Sequence, residues 1–174
     1  GIEVDRYYFG FSEHNHYRSY DHRMEEDKIS YKIADHPLLL RPWKSSRIVN
    51  NIKDINQNNP LSVEEGKNNL KNDYYYPLGL ILSSGGNHSQ LSALLEREGE
   101  SAIEMIYDMR PLYEKVEFDG NDFVFKKDRK IIPVVNSNKE IVLDTKYLLG
   151  IYFEVGRLLE KHVEYFPDYI KKYL

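Results

Sequence analysis

The feature that most constrains the fold is an apolar run that ends in two glycines and is followed at once by a helical pattern. Residues 74–84, YYYPLGLILSS, lack the alternation of a half-exposed strand, so they predict a central strand buried on both faces. After Gly85 and Gly86, three leucines at helical spacing predict a helix from Asn87 to about Glu98, with Gly99 as its stop. Such a junction requires a β-sheet with at least one helix packed against it.

The other segments predict an α+β fold with a small mixed β-sheet and flanking helices. The length of 174 residues is sufficient for one compact core, so we expect a single domain overall. Within it we expect an amino-terminal arm or helix over residues 1–30, an α+β core over residues 31–135, and a carboxy-terminal helix packed on the core within residues 136–174.

Turn residues and hydrophobic periodicity predict the individual elements. In chain order, they are an edge strand within residues 32–43, a helix capped by Ser45 or Ser46, a polar connection at 56–72, a strand at 101–109, a β-hairpin about Gly120-Asn121, a short strand at 131–135, a long helix from Asp144-Thr145 towards Pro167 and a tail helix at 168–174.

The composition excludes several classes of protein. Because there is no cysteine, disulfides, thiolate zinc sites and cysteine nucleophiles are ruled out, and a reducing, cytoplasmic location is expected. No apolar run approaches the roughly 20 residues of a membrane span, so no membrane association is expected. The net charge of −4 does not favour polyanions, and direct nucleic-acid binding is not expected. The first residue is Gly1 rather than methionine, which is compatible with missing upstream residues.

The two glycines and the helix after them have the properties of an anion-binding site. Glycine allows close approach of the backbone, the first amides of a helix lack intrahelical acceptors, and the helix dipole adds about half a positive charge there. Asn87, His88 and Ser89 add polar side chains at the same point. A neutral His88 could act as a general base, and Ser89 could add a hydroxyl contact. Alternatively, the glycines only form a turn, Asn87 or Ser89 caps the helix, and His88 bonds a nearby carbonyl.

The sequence Gly86-Asn87-His88-Ser89 and its surroundings resemble the ParB/sulfiredoxin fold. In that fold a strand leads into a Gly-x-His-Arg motif at a helix start, where nucleotide phosphates bind. The resemblance extends upstream to LLLRPW and RIVNNI and covers roughly residues 38–109. The Gly-Asn-His-Ser fragment is also similar to a motif of bacterial domains without an assigned activity. The resemblance implies that a nucleotide is held by residues 85–89.

In the same fold, the segment before the first helix faces the nucleotide. Here it carries Arg41, Lys44 and Arg47, which the resemblance places beside the phosphate. Alternatively, Arg41 and Lys44 are solvated residues around a proline turn. Two departures from the family change the chemistry: the absence of cysteine excludes reduction of a cysteine sulfinic acid, and Ser89 stands in place of the phosphate-binding arginine.

Together these features predict a nucleotide- or phosphoester-binding domain, with or without phosphohydrolase or phosphotransferase activity. His88 and Ser89 are the candidate catalytic groups, and a nucleotide or another phosphorylated small molecule is the expected ligand. The sequence does not identify a cofactor, and Mg²⁺ is the ion that could accompany a nucleotide. The alternative is a non-enzymatic regulatory protein, associated with a phage, a plasmid or a defence system. It would bind a protein partner or a second copy through its amino-terminal arm and its last helix. The apolar residues of that helix would then be only partly covered, namely Leu148, Leu149, Tyr152, Val155 and Leu159.

A histidine-rich segment near the amino terminus carries side chains of the types that bind metal ions. His14, His16 and His22 lie close to Glu13 and Asp21. Their spacing fits no pair of ligands one helical turn apart, so no metal site is predicted.

Carboxylates also surround the helix that follows the glycines, and a solvated face is their simplest interpretation. They are Glu96, Glu98, Glu100 and Glu104. Asp108 and Arg110 follow the next predicted strand, and we expect them to border a pocket.

Overall fold

The structure, a computed structural model, describes residues 2–4, 9–11, 18–22, 28–66, 69–135 and 146–173. The fold is α+β, with strands and helices interleaved along the chain. The chain forms two compact units. The terminal unit comprises Gly1–Ser19, Tyr75–Gly79 and Tyr107–Leu174, and the central unit comprises Tyr20–Tyr74 and Leu80–Ile106.

The strands are short, and several pairs of them are separated by only a few residues. They are β1 (Ile2–Val4), β2 (Phe9–Phe11), β3 (Arg18–Asp21), β4 (Ile29–Lys32), β5 (Leu38–Leu39), β6 (Lys71–Tyr76), β7 (Leu80–Gly85), β8 (Glu100–Ile103), β9 (Met105–Asp108), β10 (Val116–Phe118), β11 (Phe123–Phe125), β12 (Ile131–Ile132) and β13 (Val134–Val135). The helices are α1 (Ser45–Asp54), α2 (Val63–Gly66), α3 (Asn87–Glu96), α4 (Arg110–Tyr113), α5 (Lys146–Leu159) and α6 (Asp168–Lys171).

A five-stranded sheet, which lies largely in the central unit, has the order β3-β9-β6-β7-β5. Strand β5 lies at its edge, as the prolines around this segment predict, and pairs in parallel with β7, with Leu38 opposite Ile81. A two-stranded sheet joins β4 to β8 in antiparallel register, with Ile29 opposite Ile103. Helices α1 and α3 pack against each other in this unit.

The composition of residues 74–84 predicts one central strand, but the run forms parts of two neighbouring strands. Strand β6 ends at Tyr76 and β7 begins at Leu80, and the two are adjacent in the sheet. Gly79 adopts a positive φ of 66°, and its N–H donates to the Tyr75 carbonyl at 3.0 Å. A tight turn after Pro77 therefore reverses the chain, because glycine tolerates this conformation and proline pre-sets the turn.

Residues 101–109 likewise form two strands rather than the one predicted. Strand β8 ends at Ile103 and pairs with β4, whereas β9 begins at Met105 and belongs to the five-stranded sheet. Glu104 separates them: its N–H donates to the Asn72 carbonyl at 2.8 Å, and its carboxylate pairs with Lys28 at 3.1 Å. Neither glycine nor proline stands between the two strands, so the sequence does not reveal that the chain passes from one sheet to another.

The terminal unit contains the predicted β-hairpin. Strands β10 and β11 pair antiparallel around Gly120 and Asn121, and β12 extends this sheet. Strand β1 pairs in parallel with β13 and antiparallel with β2. Phe123 and Phe153 of α5 are buried and meet nearly edge to face, with 5.5 Å between ring centroids. Aromatic packing thus joins the hairpin to the long helix.

The described parts of residues 1–30, where an arm or a helix is predicted, contain β1 to β3 and the start of β4. Two other elements differ from expectation. Pro133 divides the expected strand at 131–135 into β12 and β13, because proline lacks the N–H that a ladder needs. Helix α5 ends at Leu159, well before Pro167, and the tail helix α6 follows that proline.

The proposed caps of the long helix, Asp144 and Thr145, lie outside the described residues. Within the part of the chain that the structure describes, no helix has the length and apolar character needed to cross a membrane.

Candidate functional site

The strand-to-helix junction predicted from the two glycines is present: β7 ends at Gly85 and α3 begins at Asn87. Gly86 is the N-cap residue and adopts the left-handed conformation, with φ 69° and ψ 19°. A Cβ at Gly85 would collide with the carbonyl oxygen of Asn69, and one at Gly86 would lie 2.7 Å from Cδ2 of Leu70. Both positions therefore require glycine. At Gly85 the backbone of Asn69 lies too close for a side chain, and Gly86 in addition adopts a left-handed conformation that other residues rarely adopt.

Helix α3 buries a largely polar face, not the leucine face that its spacing predicts. Its buried residues are Asn87, His88, Gln90, Ser92 and Ala93. Leu95, by contrast, is exposed. Buried polar groups are costly without partners, so this helix must be held by hydrogen bonds as well as by apolar packing.

Gln90 is the centre of a buried hydrogen-bond network. Its Nε2 donates to Oδ1 of Asn72 at 3.0 Å and to Oγ of Ser83 at 2.8 Å, and lies 2.9 Å from the Gly85 carbonyl. Its Oε1 accepts from Oγ of Ser101 at 2.8 Å. Because every partner lies on a strand, the network ties α3 to the strands and fixes the end of β7. No pattern in the sequence marks Gln90 as part of a network, because it is only one polar residue beside the leucines.

Helix α1 begins beside the start of α3. The backbone N–H of Lys44, the N-cap residue of α1, donates to Nε2 of His88 at 3.1 Å. The backbone N–H of Arg41 donates to Oδ1 of Asn87 at 2.7 Å. The serine cap predicted at residues 45–46 is wrong, because Lys44 is the N-cap and no side chain caps α1. Two positive helix-dipole ends therefore lie next to each other.

His88 has a defined tautomer. A backbone N–H can only donate, so Nε2 of His88 is the acceptor and Nδ1 carries the ring proton. Burial, and secondarily the positive charge of Arg47, hold the pKa of His88 below its ordinary value of 6.5. Within the described part of the chain, no residue accepts a hydrogen bond from Nδ1 of His88. His88 is thus a neutral hydrogen-bond donor towards anything bound beside it.

Ser89 is bound by the neighbouring helix. The side-chain oxygen of Asn51 accepts from both the N–H and Oγ of Ser89 at 3.1 Å, and its nitrogen lies 3.3 Å from the Arg47 carbonyl. This orientation follows from the Ser89 N–H, which can only donate. For the N–H groups of Asn87 and His88, in contrast, none of the described residues provides an acceptor. Those two amides are available to an anion.

A cavity of about 290 Å³, called the junction cavity here, opens over the start of α3. Its lining residues are Trp43, Arg47, Asn50, Asn51, Asn69, Gly86, Asn87, His88 and Ser89. Arg47 supplies a cation, and Trp43, which is 60% exposed, packs its ring at 4.5 Å and 72° against the ring of His88. The cavity therefore combines positive charge, amide groups and an accessible aromatic ring.

The structure brings most of the predicted site residues together. Those that line the junction cavity are Arg47, Gly86, Asn87, His88 and Ser89. Gly85 adjoins them as the last residue of β7. Arg41 and Lys44 contribute backbone N–H groups, whereas their side chains are not part of the lining.

Other polar residues singled out in the sequence lie elsewhere. Asp108 and Arg110 form an ion pair in the terminal unit, with 2.7 Å between Oδ2 and Nη2, and neither lines the junction cavity. Glu98 and Glu100 line a second cavity of the central unit, of about 490 Å³.

The histidine-rich segment is mostly not described: His14 and His16, with Glu13, lie outside the described residues. Within the described ranges, no group of three or more His, Asp or Glu side chains is arranged to hold a metal ion.

Comparison with known proteins places the chain in a family without assigning a function. The model of a family described as "Family of unknown function (DUF6710)" matches residues 4–166. No curated protein and no solved structure matches the chain. The likeness to the ParB/sulfiredoxin fold therefore stays a prediction.

Proposed function

The chain belongs to DUF6710, a family of unknown function, and from its own residues we propose that it binds a phosphorylated small molecule with a planar ring, such as a nucleotide. The ligand occupies the junction cavity of the central unit. One observation carries the proposal: the hydrogen bond from the Lys44 N–H to Nε2 of His88. This bond joins the starts of α1 and α3 and leaves the protonated Nδ1 of His88 for a ligand.

The phosphate end of the ligand binds at the start of α3. The N–H groups of Asn87 and His88 lack acceptors among the described residues, and Gly86 lines the cavity directly before them. The guanidinium of Arg47 adds a charge-assisted donor from α1. Arg47 can thus provide the positive charge that Ser89, in place of an arginine, does not.

The ring end of the ligand packs on Trp43. Its ring lies at the cavity wall and is more than half exposed, so one side can stack against a base. Asn50 and Asn69 also line the cavity, and an asparagine side chain can supply both a donor and an acceptor, whereas the amide of Asn51 is bound to Ser89 and Arg47. An aromatic ring and several amides suit a nucleotide better than inorganic phosphate alone.

The geometry supports binding more strongly than hydrolysis. The basic nitrogen of His88 already accepts the Lys44 N–H, so His88 could serve as a general base only after that bond breaks. Among the described residues, the lining of the junction cavity includes no carboxylate that could replace it or hold Mg²⁺. Catalytic roles for His88 and Ser89 remain predictions for an activity assay.

A thermal-shift comparison tests the proposal. Nucleoside mono-, di- and triphosphates, ribose 5-phosphate and inorganic phosphate are added with and without Mg²⁺ to the wild type, Arg47→Ala and Lys53→Ala. Lys53 is an exposed cation of the same helix that does not line the cavity, so its variant is a control for charge. At about 100 times its dissociation constant, a bound ligand adds roughly 2.7 kcal/mol to the free energy of unfolding.

We expect at least one nucleotide to raise the melting temperature of the wild type and of Lys53→Ala. Arg47→Ala should bind roughly 30-fold more weakly, which corresponds to about 2 kcal/mol for a charge-assisted hydrogen bond. No shift with any of these ligands, or an undiminished shift in Arg47→Ala, would contradict the proposal.

A further inference from the structure

Helix α5 of the terminal unit has its polar and apolar faces reversed relative to an ordinary surface helix. Its buried residues are Gly150, Phe153 and Gly156. A Cβ at Gly150 would collide with the ring of Phe118, and one at Gly156 would collide with the hydroxyl of Tyr113. The two glycines therefore let the helix backbone lie close against the core of this unit.

The charged side chains of α5 are directed to partners within the terminal unit. Lys146 pairs with Asp122 at 2.6 Å, and Glu154 accepts a hydrogen bond from the Phe118 N–H at 2.9 Å. Arg157 pairs with Glu154 at 2.8 Å. It also donates to two backbone carbonyls of this unit, at 2.7 and 2.6 Å. These are all the charged residues of α5, so none of them is left for the outward face.

The outward face is instead a continuous row of large apolar and aromatic side chains, called the α5 stripe here. It consists of Tyr147, Leu148, Ile151, Tyr152, Val155 and Leu158. Their exposed fractions range from 41% to 68%. A soluble helix normally places charged residues there, so this row indicates an interaction surface.

The spacing of the α5 stripe fits a second helix. Leu148, Ile151, Val155 and Leu158 are separated by three, four and three residues, which is the a/d pattern of a two-helix seam, and the tyrosines flank it. Because the seam has no charge, nothing on it selects an oppositely charged partner. Two copies related by a two-fold axis would present identical, mutually apolar seams to each other.

The exposed area also fits such a pairing. From the exposed fractions of its side chains, the α5 stripe leaves on the order of 500 Å² accessible per copy, and complete burial of both stripes would remove at most about 1,000 Å². That total reaches the lower limit of a specific protein–protein interface. We propose that the protein forms a homodimer in which α5 of one copy packs against α5 of the other.

Sedimentation velocity of the full chain at micromolar to sub-millimolar concentrations tests the homodimer. We expect a species of twice the chain mass of 20.6 kDa. Val155→Glu and Ile151→Lys each place a charge in the seam and should return the mass to that of one chain. Leu95→Glu is the matched control, because Leu95 is an equally apolar and exposed residue of α3. It should leave the dimer intact.

The wild-type measurement decides the question even if a variant folds poorly, which far-UV circular dichroism would reveal. A wild-type mass of 20.6 kDa at every concentration would overturn the homodimer and leave another occupant for the α5 stripe. A dimer that persists in both folded seam variants would also overturn it, because the contact would then lie elsewhere.

Discussion

The backbone N–H of Lys44 donates a hydrogen bond of 3.1 Å to Nε2 of His88. This bond connects the first residues of two helices and requires a neutral imidazole, since a protonated Nε2 would face another donor. The same contact therefore determines the protonation state of His88 and the geometry of the junction cavity. Several expectations about acidity, stability and ligand binding depend on it.

His88 should stay neutral to a lower pH than an ordinary histidine. Burial and Arg47 lower its pKa from 6.5, so the unfolded chain binds the proton more tightly than the folded one. The contribution of His88 to stability is complete above pH 6.5, falls as the pH drops below 6.5, and levels off below the folded-state pKa. Nitrogen-15 NMR of the ring should show the Nδ1–H tautomer throughout the neutral range.

His88→Gln provides the matched control, because the amide oxygen of glutamine can accept the Lys44 N–H but does not titrate. The free energy of unfolding should fall less between pH 7 and pH 5 in this variant than in the wild type. His36, whose pKa is also lowered by burial, contributes equally in both proteins. An Nε2–H tautomer in the wild type, or equal pH dependence in the two proteins, is the result that our account does not allow.

The buried network should be sensitive to the loss of Gln90. Gln90→Leu removes the partner of Oδ1 of Asn72 and of Oγ of Ser101, so their desolvation is no longer compensated. We expect the free energy of unfolding to fall by about 3 kcal/mol in urea denaturation. Gln57→Leu changes an exposed glutamine and should alter it by less than about 0.5 kcal/mol. If the two substitutions changed the free energy of unfolding by similar amounts, the network around Gln90 would contribute little to stability.

Gly85 should tolerate no side chain. In Gly85→Ala, the new Cβ meets the carbonyl oxygen of Asn69, so β7 or the turn must shift. We expect a loss of about 2 kcal/mol in the free energy of unfolding, together with weaker ligand binding. Gly120→Ala is the comparison: its φ of 99° is strained for alanine, but nothing lies within 4 Å of the added Cβ. If Gly85→Ala lowers the free energy of unfolding but leaves the ligand affinity unchanged, the junction does not shape the ligand site.

Trp43 should distinguish ligands by their ring. Trp43→Ala removes a stacking surface worth roughly 1–3 kcal/mol per base, so affinity for adenosine 5′-monophosphate should fall about tenfold. Ribose 5-phosphate, which has the phosphate but no base, should bind the wild type and the variant equally. Isothermal titration calorimetry measures both affinities. An equal loss for the two ligands would mean that Trp43 acts on the phosphate end or on the fold.

Local patterns predicted the parts of the fold that depend on neighbouring residues. The Gly85-Gly86 junction, the hairpin about Gly120 and the start of α3 all follow from residues that adjoin each other in the chain. The edge position of β5 followed from its prolines for the same reason.

The rest depended on contacts between distant residues. Gln90 bonds residues 18, 7 and 11 positions away, and no periodicity marks those partners. The N-cap of α1 is Lys44 because its N–H bonds His88, 44 residues along the chain. Helical spacing predicted an apolar face on α5, but it included Leu149 and Leu159, which are not on the exposed row, and it omitted Ile151. The close packing of Gly150 and Gly156 against the core, which spacing does not reveal, determines which face points outwards.

The central claim is that a phosphorylated ligand binds at the start of α3, and amide NMR tests it most directly. Adenosine 5′-monophosphate is titrated into nitrogen-15-labelled protein, with His88→Ala as a second sample. We predict saturable shifts that are largest for the N–H groups of Asn87 and His88 in the wild type, and weaker binding in the variant, which has no side-chain donor at this position. Saturable shifts confined to other residues, or no shifts at all, would contradict the account.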